Sequence, residues 1–147
     1  MPPLVTSIRI QAPPTAVWEE LATLEQHAEW MADAESIEFR TASTRGTGTA
    51  MAVRTRVGPL TTCDEITVTW WAPHVGIGVS HRGIVSGIGA FALAPDADGT
   101  ILVWYEDLRF PARLGGALGA FVARPVLRRI WEGNLRRFAS RFATSTP

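Results

Sequence analysis

The stretch ARPVLRRIWEGNLRRFASRF, residues 123–142, decides the fold class of this chain. Its large apolar residues recur every three or four positions: Leu127, Trp131, Leu135, Phe138 and Phe142. This spacing places them on one face of an α-helix, which must be buried against another layer of the protein. Pro125 lies inside the same pattern and removes one backbone hydrogen bond, so we expect a kink there.

The sequence ahead of this helix predicts a β-sheet interrupted once by helices. Residues 4–10 alternate as a first strand, and residues 12–24 and 25–31 predict two short helices. Six further strands are predicted at residues 35–42, 48–58, 59–71, 75–82, 84–94 and 99–110. Glycine, proline and aspartate at the connections favour successive antiparallel hairpins. The order of elements predicts an α+β fold in which the last helix covers the concave face of a curved antiparallel sheet.

Composition restricts the class of protein. The 147 residues predict one domain, 1–147, and 46% hydrophobic content with zero net charge favours a globular chain that binds no nucleic acid. No apolar run reaches transmembrane length, and the N-terminus lacks the features of a signal peptide. We therefore expect a cytoplasmic protein without stable membrane insertion.

The residues that carry metal, cofactor or nucleophile chemistry are sparse. Cys63 is the single cysteine, and His27, His74 and His81 are scattered without metal-ligand spacing. The glycine-rich GIGAFA at residues 87–92 precedes no helix, so it is no dinucleotide fingerprint. We expect neither a metal nor a cofactor.

Three segments resemble one known superfamily. They are APPTAVWEELATLEQHAEWM at residues 12–31, GIGAFALAPDADGTILVWYEDLRFP at 87–111, and RPVLRRIWEGNLRRFA at 124–139. Together with the order of elements they are similar to the START/SRPBCC superfamily, and most of all to its polyketide cyclase/dehydrase-like branch. The resemblance covers nearly the whole chain. It implies a helix-grip fold, in which seven strands wrap around a long C-terminal helix and enclose a hydrophobic cavity.

The resemblance implies two main functions. One is the binding of a small hydrophobic molecule, aromatic or lipid-like, in the cavity between sheet and helix. The alternative is a polyketide cyclase, aromatase or dehydratase that uses the cavity to fold its substrate. A regulatory protein with an incidental pocket is a third reading, and the sequence leaves a homodimer open.

The stretch SHRGIVSGIGAFAL, residues 80–93, places glycines inside predicted strands. Glycine weakens a strand interior, so each one needs a reason. A sheet that curls around a helix requires bends, and glycine permits them. Inward-facing Gly87 and Gly89 would also leave empty volume, and both effects favour a cavity.

Strand alternation selects two inward polar residues, His81 and Glu106. The turn at residues 95–99 predicts Gly89 opposite Glu106, and a turn centred on Gly83 predicts Ile77 across from Gly89. The two polar residues would lie two strands apart, about 10 Å between their backbones. We therefore expect a ligand between them rather than a direct hydrogen bond. In the enzyme alternative they are the candidate general acid and base.

The remaining candidates would line the cavity with apolar surface. The full set of predicted ligand-binding residues is Trp30, Met51, Val53, Val68, Trp70, Ile77, Val79, His81, Phe91, Trp104, Glu106, Leu118 and Val122. Leu118 and Val122 would form a roof, in a helical segment where glycines at 115, 116 and 119 permit either movement or close packing. Because Trp70 and Trp71 are adjacent, only one of them can face inward.

The last segment is strongly basic, with seven arginines and a single acid, Glu132, from residue 113 onward. A basic amphipathic helix can bind an anionic membrane. The apolar stripe of this helix is needed for the core, so we favour a solvated basic face that pairs with acids elsewhere in the chain.

Overall fold

The computed structural model of the chain describes residues 2–142. Its strands are β1 Leu4–Ile10, β2 Ala34–Phe39, β3 Ala50–Val57, β4 Leu60–Ala72, β5 Gly76–Arg82, β6 Ser86–Asp96 and β7 Gly99–Arg109. Its helices are α1 Pro14–Ala22, α2 His27–Trp30 and α3 Gly116–Ser140, with short 3₁₀ turns at Leu24–Gln26 and Ala112–Leu114. The order of elements is the one that the sequence predicts, and the helix-grip α+β fold is confirmed.

All seven strands form one antiparallel sheet in the order β1-β7-β6-β5-β4-β3-β2. Consecutive strands pair as hairpins, while β1 closes the other edge by pairing with β7. The connection from β2 to β3 is longer than predicted, because hydroxyls in its Ser- and Thr-rich sequence hydrogen-bond the backbone. Thr41 Oγ1 donates to the Ser43 carbonyl, and Ser43 Oγ donates to the Arg45 carbonyl.

The long helix α3 carries the predicted stripe into the core. Trp131, Leu135 and Phe138 are buried. Leu127 and Phe142 pack against them while keeping some exposure. The stripe of apolar residues every three or four positions therefore covers the concave face of the sheet, as helical periodicity requires.

Four of the seven arginines of this segment bind other parts of the protein. Arg124 donates to the Pro2 and Pro3 carbonyls and Arg128 to the Val5 carbonyl. Arg137 donates to the Trp30 carbonyl, and Arg141 pairs with Glu20. The expected pairing with an acid elsewhere in the chain is therefore seen for Arg141, whereas the other three arginines bind backbone carbonyls.

The first half of α3 is oriented differently from the prediction. Leu118 and Val122, expected to roof the cavity, are 71% and 65% exposed, so that expectation is wrong. The inward positions are occupied by Ala120, which is buried, and Ala123, which borders the cavity. These small residues continue the stripe of Trp131 towards the N-terminus at helical spacing, and they let the helix approach the sheet closely. The large neighbours consequently point outward.

The orientation of Trp70 is also different from the prediction. The pairing of β4 with β5 shifts by one residue between Val68 and Trp70, which marks a β-bulge. A bulge reverses the alternation of side chains beyond it. Val68 is therefore buried, Trp70 is 45% exposed, and Trp71 packs edge-on against Trp18 with ring centroids 5.2 Å apart.

Candidate ligand-binding cavity

A cavity of about 250 Å³ lies between the concave face of the sheet and the helices α2 and α3. Most of its wall is apolar, because most of the inward residues of β3, β5, β6 and β7 are aliphatic or aromatic. The helix supplies Leu127 and Trp131 on the opposite side. The indole of Trp131 stacks on that of Trp104, with ring centroids 5.4 Å apart. The cavity wall therefore consists of side chains from the same apolar faces of the sheet and of α3 that form the core.

Eight of the thirteen predicted ligand-binding residues border this cavity: Met51, Val53, Ile77, Val79, His81, Phe91, Trp104 and Glu106. Trp30 and Val68 are buried in the core outside the lining. Trp30 packs behind the wall against the rings of Phe91 and Trp104, at 6.0 and 6.1 Å between centroids. Trp70, Leu118 and Val122 are exposed and lie outside the cavity.

One polar pair stands out in the apolar wall. His81 Nε2 lies 3.0 Å from Glu106 Oε2, so the imidazole N–H donates directly to the carboxylate. The other carboxylate oxygen, Oε1, accepts a hydrogen bond of 2.9 Å from Trp104 Nε1. The side chains are 16% and 7% exposed, so the pair is largely removed from solvent. The expectation that His81 and Glu106 would not touch is wrong.

Gly89 explains how two residues on non-adjacent strands meet. It lies on the intervening strand β6, opposite Glu106 as predicted, while the residue of β6 opposite His81 is Gly87. A Cβ atom at position 89 would lie 2.6 Å from Glu106 Oε2 and 2.7 Å from Oε1. The missing side chain is therefore the space through which the carboxylate crosses β6 to His81. Glycine in this strand permits a buried hydrogen bond as well as curvature.

The register of the preceding hairpin is shifted from the prediction. Gly89 pairs with Val79, while Ile77 pairs with Phe91. The prediction centred the turn on Gly83, whereas the pairs are symmetric about position 84. A shift of two residues along one partner keeps every side chain on its predicted face. For that reason the inward residues of β5 are correct although their partners are not.

The charges around His81 favour its protonated form. Burial lowers the pKa of His81, but the hydrogen bond to Glu106 and the nearby negative charges of Glu106 and Asp64 outweigh it and leave the pKa raised. Asp64 borders the cavity beside this pair, and burial raises the pKa of its carboxyl group against a hydrogen bond from Thr62. The polar end of the cavity therefore combines an imidazole with two carboxyl groups.

Sequence reasoning missed Asp64 and His27, which both border the cavity. Asp64 has the same strand parity as Ile66 and Val68, the residues predicted to face inward on β4. His27 lies three residues after Leu24 and three before Trp30, on the apolar side of its short helix. Both signals were present, since a polar residue in register with an apolar face is a candidate for the cavity wall.

Residues at or beside three connections border the cavity at the end where His81 lies. They are Leu60 at the start of β4, Val85 in the β5–β6 turn, and Phe110 after β7. Leu60 is 42% exposed. Between residues 2 and 142, no group of three or more His, Cys, Asp or Glu side chains has a geometry that could hold a metal ion.

A comparison of the sequence with known protein families identifies the family of this chain. The family described as "Polyketide cyclase / dehydrase and lipid transport" matches residues 1–145. The chain belongs to this family, and the resemblance seen in the sequence is confirmed. A comparison with curated proteins finds no significant match.

Solved structures with the same fold include proteins of several kinds. The protein TTHA0849 from Thermus thermophilus has a TM-score of 0.80 at 19% identity, covering 99% of this chain and 100% of that one. The ZhuI aromatase/cyclase from Streptomyces sp. R1128 has a TM-score of 0.74 at 17% identity, covering 95% and 92%. Ara h 8.0201 has a TM-score of 0.72 at 12% identity, covering 96% and 97%. At these identities the likeness shows the fold alone.

In the described part of the chain, no helix combines the length and the apolar character needed to span a membrane.

Proposed function

We propose that this protein binds a small hydrophobic molecule in the cavity between its sheet and α3. The observation that carries the proposal is an apolar cavity of about 250 Å³ with its polar groups confined to a few positions. Binding sites for small molecules have this composition, because apolar walls supply affinity and a few polar groups fix orientation. The chain belongs to a family whose description names polyketide cyclases, dehydrases and lipid transport, and this supports the same proposal.

The volume favours a compact ligand. A cavity of about 150 Å³ suffices for benzene, and most sites for drug-sized molecules exceed about 300 Å³. A volume of about 250 Å³ therefore suits a molecule of one or two rings, or a short acyl chain. The stacked indoles of Trp104 and Trp131 favour an aromatic ligand among these.

A matched pair of variants tests the proposal. Val79 borders the cavity, whereas Val75 is 51% exposed outside it. Val79→Phe fills part of the cavity and should weaken binding of 2-naphthol, a fluorescent two-ring probe, at least tenfold. Val75→Phe should leave the affinity unchanged. Equal affinity in both variants, or no binding by the wild-type protein together with no bound molecule in native mass spectrometry, would overturn the proposal.

The hydrogen bond between His81 and Glu106 favours one second function, catalysis of a cyclisation or dehydration. An imidazole held by a carboxylate can donate and accept protons, as general acid–base catalysis requires. The cavity would hold a flexible poly-β-keto chain in a reactive conformation. The shared fold of an aromatase/cyclase is consistent with this alternative.

Separate substitutions distinguish binding from catalysis. In an enzyme, His81→Phe and Glu106→Gln should each reduce turnover of an open-chain poly-β-keto substrate at least a hundredfold while affinity for a cyclised aromatic analogue falls much less. In a binding protein, no turnover above the uncatalysed rate should be found with the wild type. Turnover that survives both substitutions would exclude the pair as the catalytic group.

A further inference from the structure

His27 presents a second polar position in the cavity wall, away from the His81 and Glu106 pair. It begins α2, it is 7% exposed, and its ring borders the cavity. The ring packs beside Trp30 at 4.9 Å and edge-on to Phe91 at 6.1 Å between centroids. Phe91 lies two residues along β6 from Gly89, which is about 7 Å along the strand. The two polar positions therefore lie at different depths of the cavity.

The hydrogen bond to Leu21 fixes which nitrogen of His27 carries the proton. Nε2 lies 2.7 Å from the Leu21 carbonyl oxygen. A carbonyl oxygen only accepts hydrogen bonds, so Nε2 must be the donor. In the neutral imidazole the other nitrogen, Nδ1, then has a free lone pair and is an acceptor.

His27 is neutral at pH 7. Its pKa is lowered to about 4, mainly by burial and in small part by the nearby positive charge of Arg141, against the opposing effects of the Leu21 carbonyl and Glu25. Among residues 2–142 no side chain or backbone group hydrogen-bonds Nδ1. His27 Nδ1 is not among the fully enclosed polar atoms without a partner in that range, which are Thr6 Oγ1 and Asp64 Oδ1, so it keeps some accessible surface in a residue that borders the cavity.

We propose that His27 Nδ1 accepts a hydrogen bond from a hydroxyl group of the bound molecule, so that the ligand is a phenol or another compact ring alcohol. This inference rests on the proposed binding function and names its ligand class. It differs from the role of the opposite polar end, where both oxygens of Glu106 already accept hydrogen bonds from Trp104 and His81.

The surroundings of His27 Nδ1 favour a ligand group that is neutral and donates a hydrogen bond. A carboxylate or phosphate on the ligand would meet the lone pair of Nδ1 and be repelled. An ammonium group would lose its hydration in an apolar wall without a counter-charge. A hydroxyl group avoids both costs, because it is neutral and donates one hydrogen bond. The rings of Trp30 and Phe91 beside His27 suit the flat body of a phenol.

The test compares naphthalene with 2-naphthol, which differ by a single hydroxyl group. The wild-type protein should bind 2-naphthol about three- to tenfold more tightly, as one net hydrogen bond requires. His27→Phe should remove this preference while naphthalene affinity stays within about twofold. The matched control is His74→Phe, at an exposed histidine outside the cavity, and it should keep both affinities.

If His27→Phe does not fold, an NMR measurement on the wild-type protein tests the inference instead. In wild-type protein labelled with ¹⁵N-histidine, the signal of the unprotonated Nδ1 of His27 should move on addition of 2-naphthol and stay in place with naphthalene. A preference for 2-naphthol that survives His27→Phe, or an Nδ1 signal that ignores the hydroxyl, would overturn this inference alone. Absence of binding by both probes, together with no bound molecule in native mass spectrometry, would overturn the proposed function, and this inference with it.

Discussion

The carboxylate of Glu106 on β7 reaches His81 on β5 across the intervening strand β6, with 3.0 Å between Oε2 and Nε2. Neighbouring strands lie almost 5 Å apart, so two side chains separated by a third strand normally do not bond. The bond is possible because Gly89 has no side chain in the space that the Glu106 carboxylate occupies. A position that weakens the sheet locally therefore organises the polar end of the cavity.

Gly89→Ala should break this arrangement. The new Cβ would lie 2.6 Å from Glu106 Oε2, so the carboxylate must move away from both Trp104 and His81. We expect a loss of about 1–3 kcal/mol in the free energy of unfolding, because buried donors then lose their acceptor. Urea unfolding measures it. Gly133→Ala is the control: its nearest contact is 3.5 Å, to an arginine side chain, and it should stabilise α3 by about 0.5–1 kcal/mol. Equal stability of Gly89→Ala and wild type would show that the Glu106 side chain has an alternative conformation that costs no stability, and would contradict this prediction.

Glu106→Gln should lower the pKa of His81. Burial alone lowers this pKa, and the raised value depends mainly on the hydrogen bond and charge of Glu106, with Asp64 adding to them. Without the Glu106 charge, burial should dominate and bring the pKa below the ordinary histidine value of about 6.5. NMR titration of the imidazole signals gives both values. Glu38→Gln, at an exposed carboxylate, should leave the titration of His81 unchanged.

The same pair should make stability depend on pH. A histidine whose pKa is raised by folding contributes stability that is complete below about pH 6.5 and is lost as the pH rises through the folded pKa. The wild-type protein should therefore lose stability relative to Glu106→Gln as the pH increases from about 6.5. Urea unfolding at a series of pH values measures the difference. A constant difference between the two proteins from pH 6 to pH 9 would contradict the raised pKa of His81.

His27 should make the protein less stable as the pH falls, which is the opposite of the trend expected for His81. Its pKa is about 4 in the folded protein, while an unfolded histidine titrates near 6.5, so the unfolded state takes up the proton first as the pH falls. The free energy of unfolding should therefore fall by about 3 kcal/mol through this residue as the pH falls from about 6.5 to about 4. His27→Gln should have a smaller loss over this interval. Subtracting the two unfolding curves removes the shared titration of carboxyl groups. Parallel curves would show that His27 is protonated in the fold.

Asn134 should be essential for the cavity wall formed by the segment after α2. It is fully buried: its Oδ1 accepts from the Ala32 N–H at 3.0 Å, and its Nδ2 donates to Asp33 Oδ1 at 2.8 Å. Asn134→Ala should cost about 1–3 kcal/mol of stability, because it leaves these groups without partners. Since Asp33 borders the cavity, affinity for 2-naphthol should fall several-fold. Arg136→Ala, at an exposed site on α3, should change neither quantity. Unchanged affinity in a destabilised Asn134→Ala would separate this contact from the cavity.

The sequence predicted the fold because its signals are periodic and strong. The apolar spacing of Trp131, Leu135 and Phe138 fixes the buried face of the helix, and strand alternation correctly turned His81 and Glu106 inward. Where a local irregularity interrupts a period, prediction failed. The bulge after Val68 turned Trp70 outward, and no feature of the strand pattern reveals where a bulge will form.

What the sequence by itself determined is the face on which most residues of the regular strands and of the second half of α3 lie, because the repeats of 2 and 3.6 residues follow from backbone geometry. Which of those residues touch was decided only by the tertiary structure. The crossing of Glu106 over Gly89 depends on the register of three strands, and the exposed position of Leu118 depends on how closely α3 approaches the sheet. Both distances are set when the elements pack, since packing must fill the interior with all side chains at once.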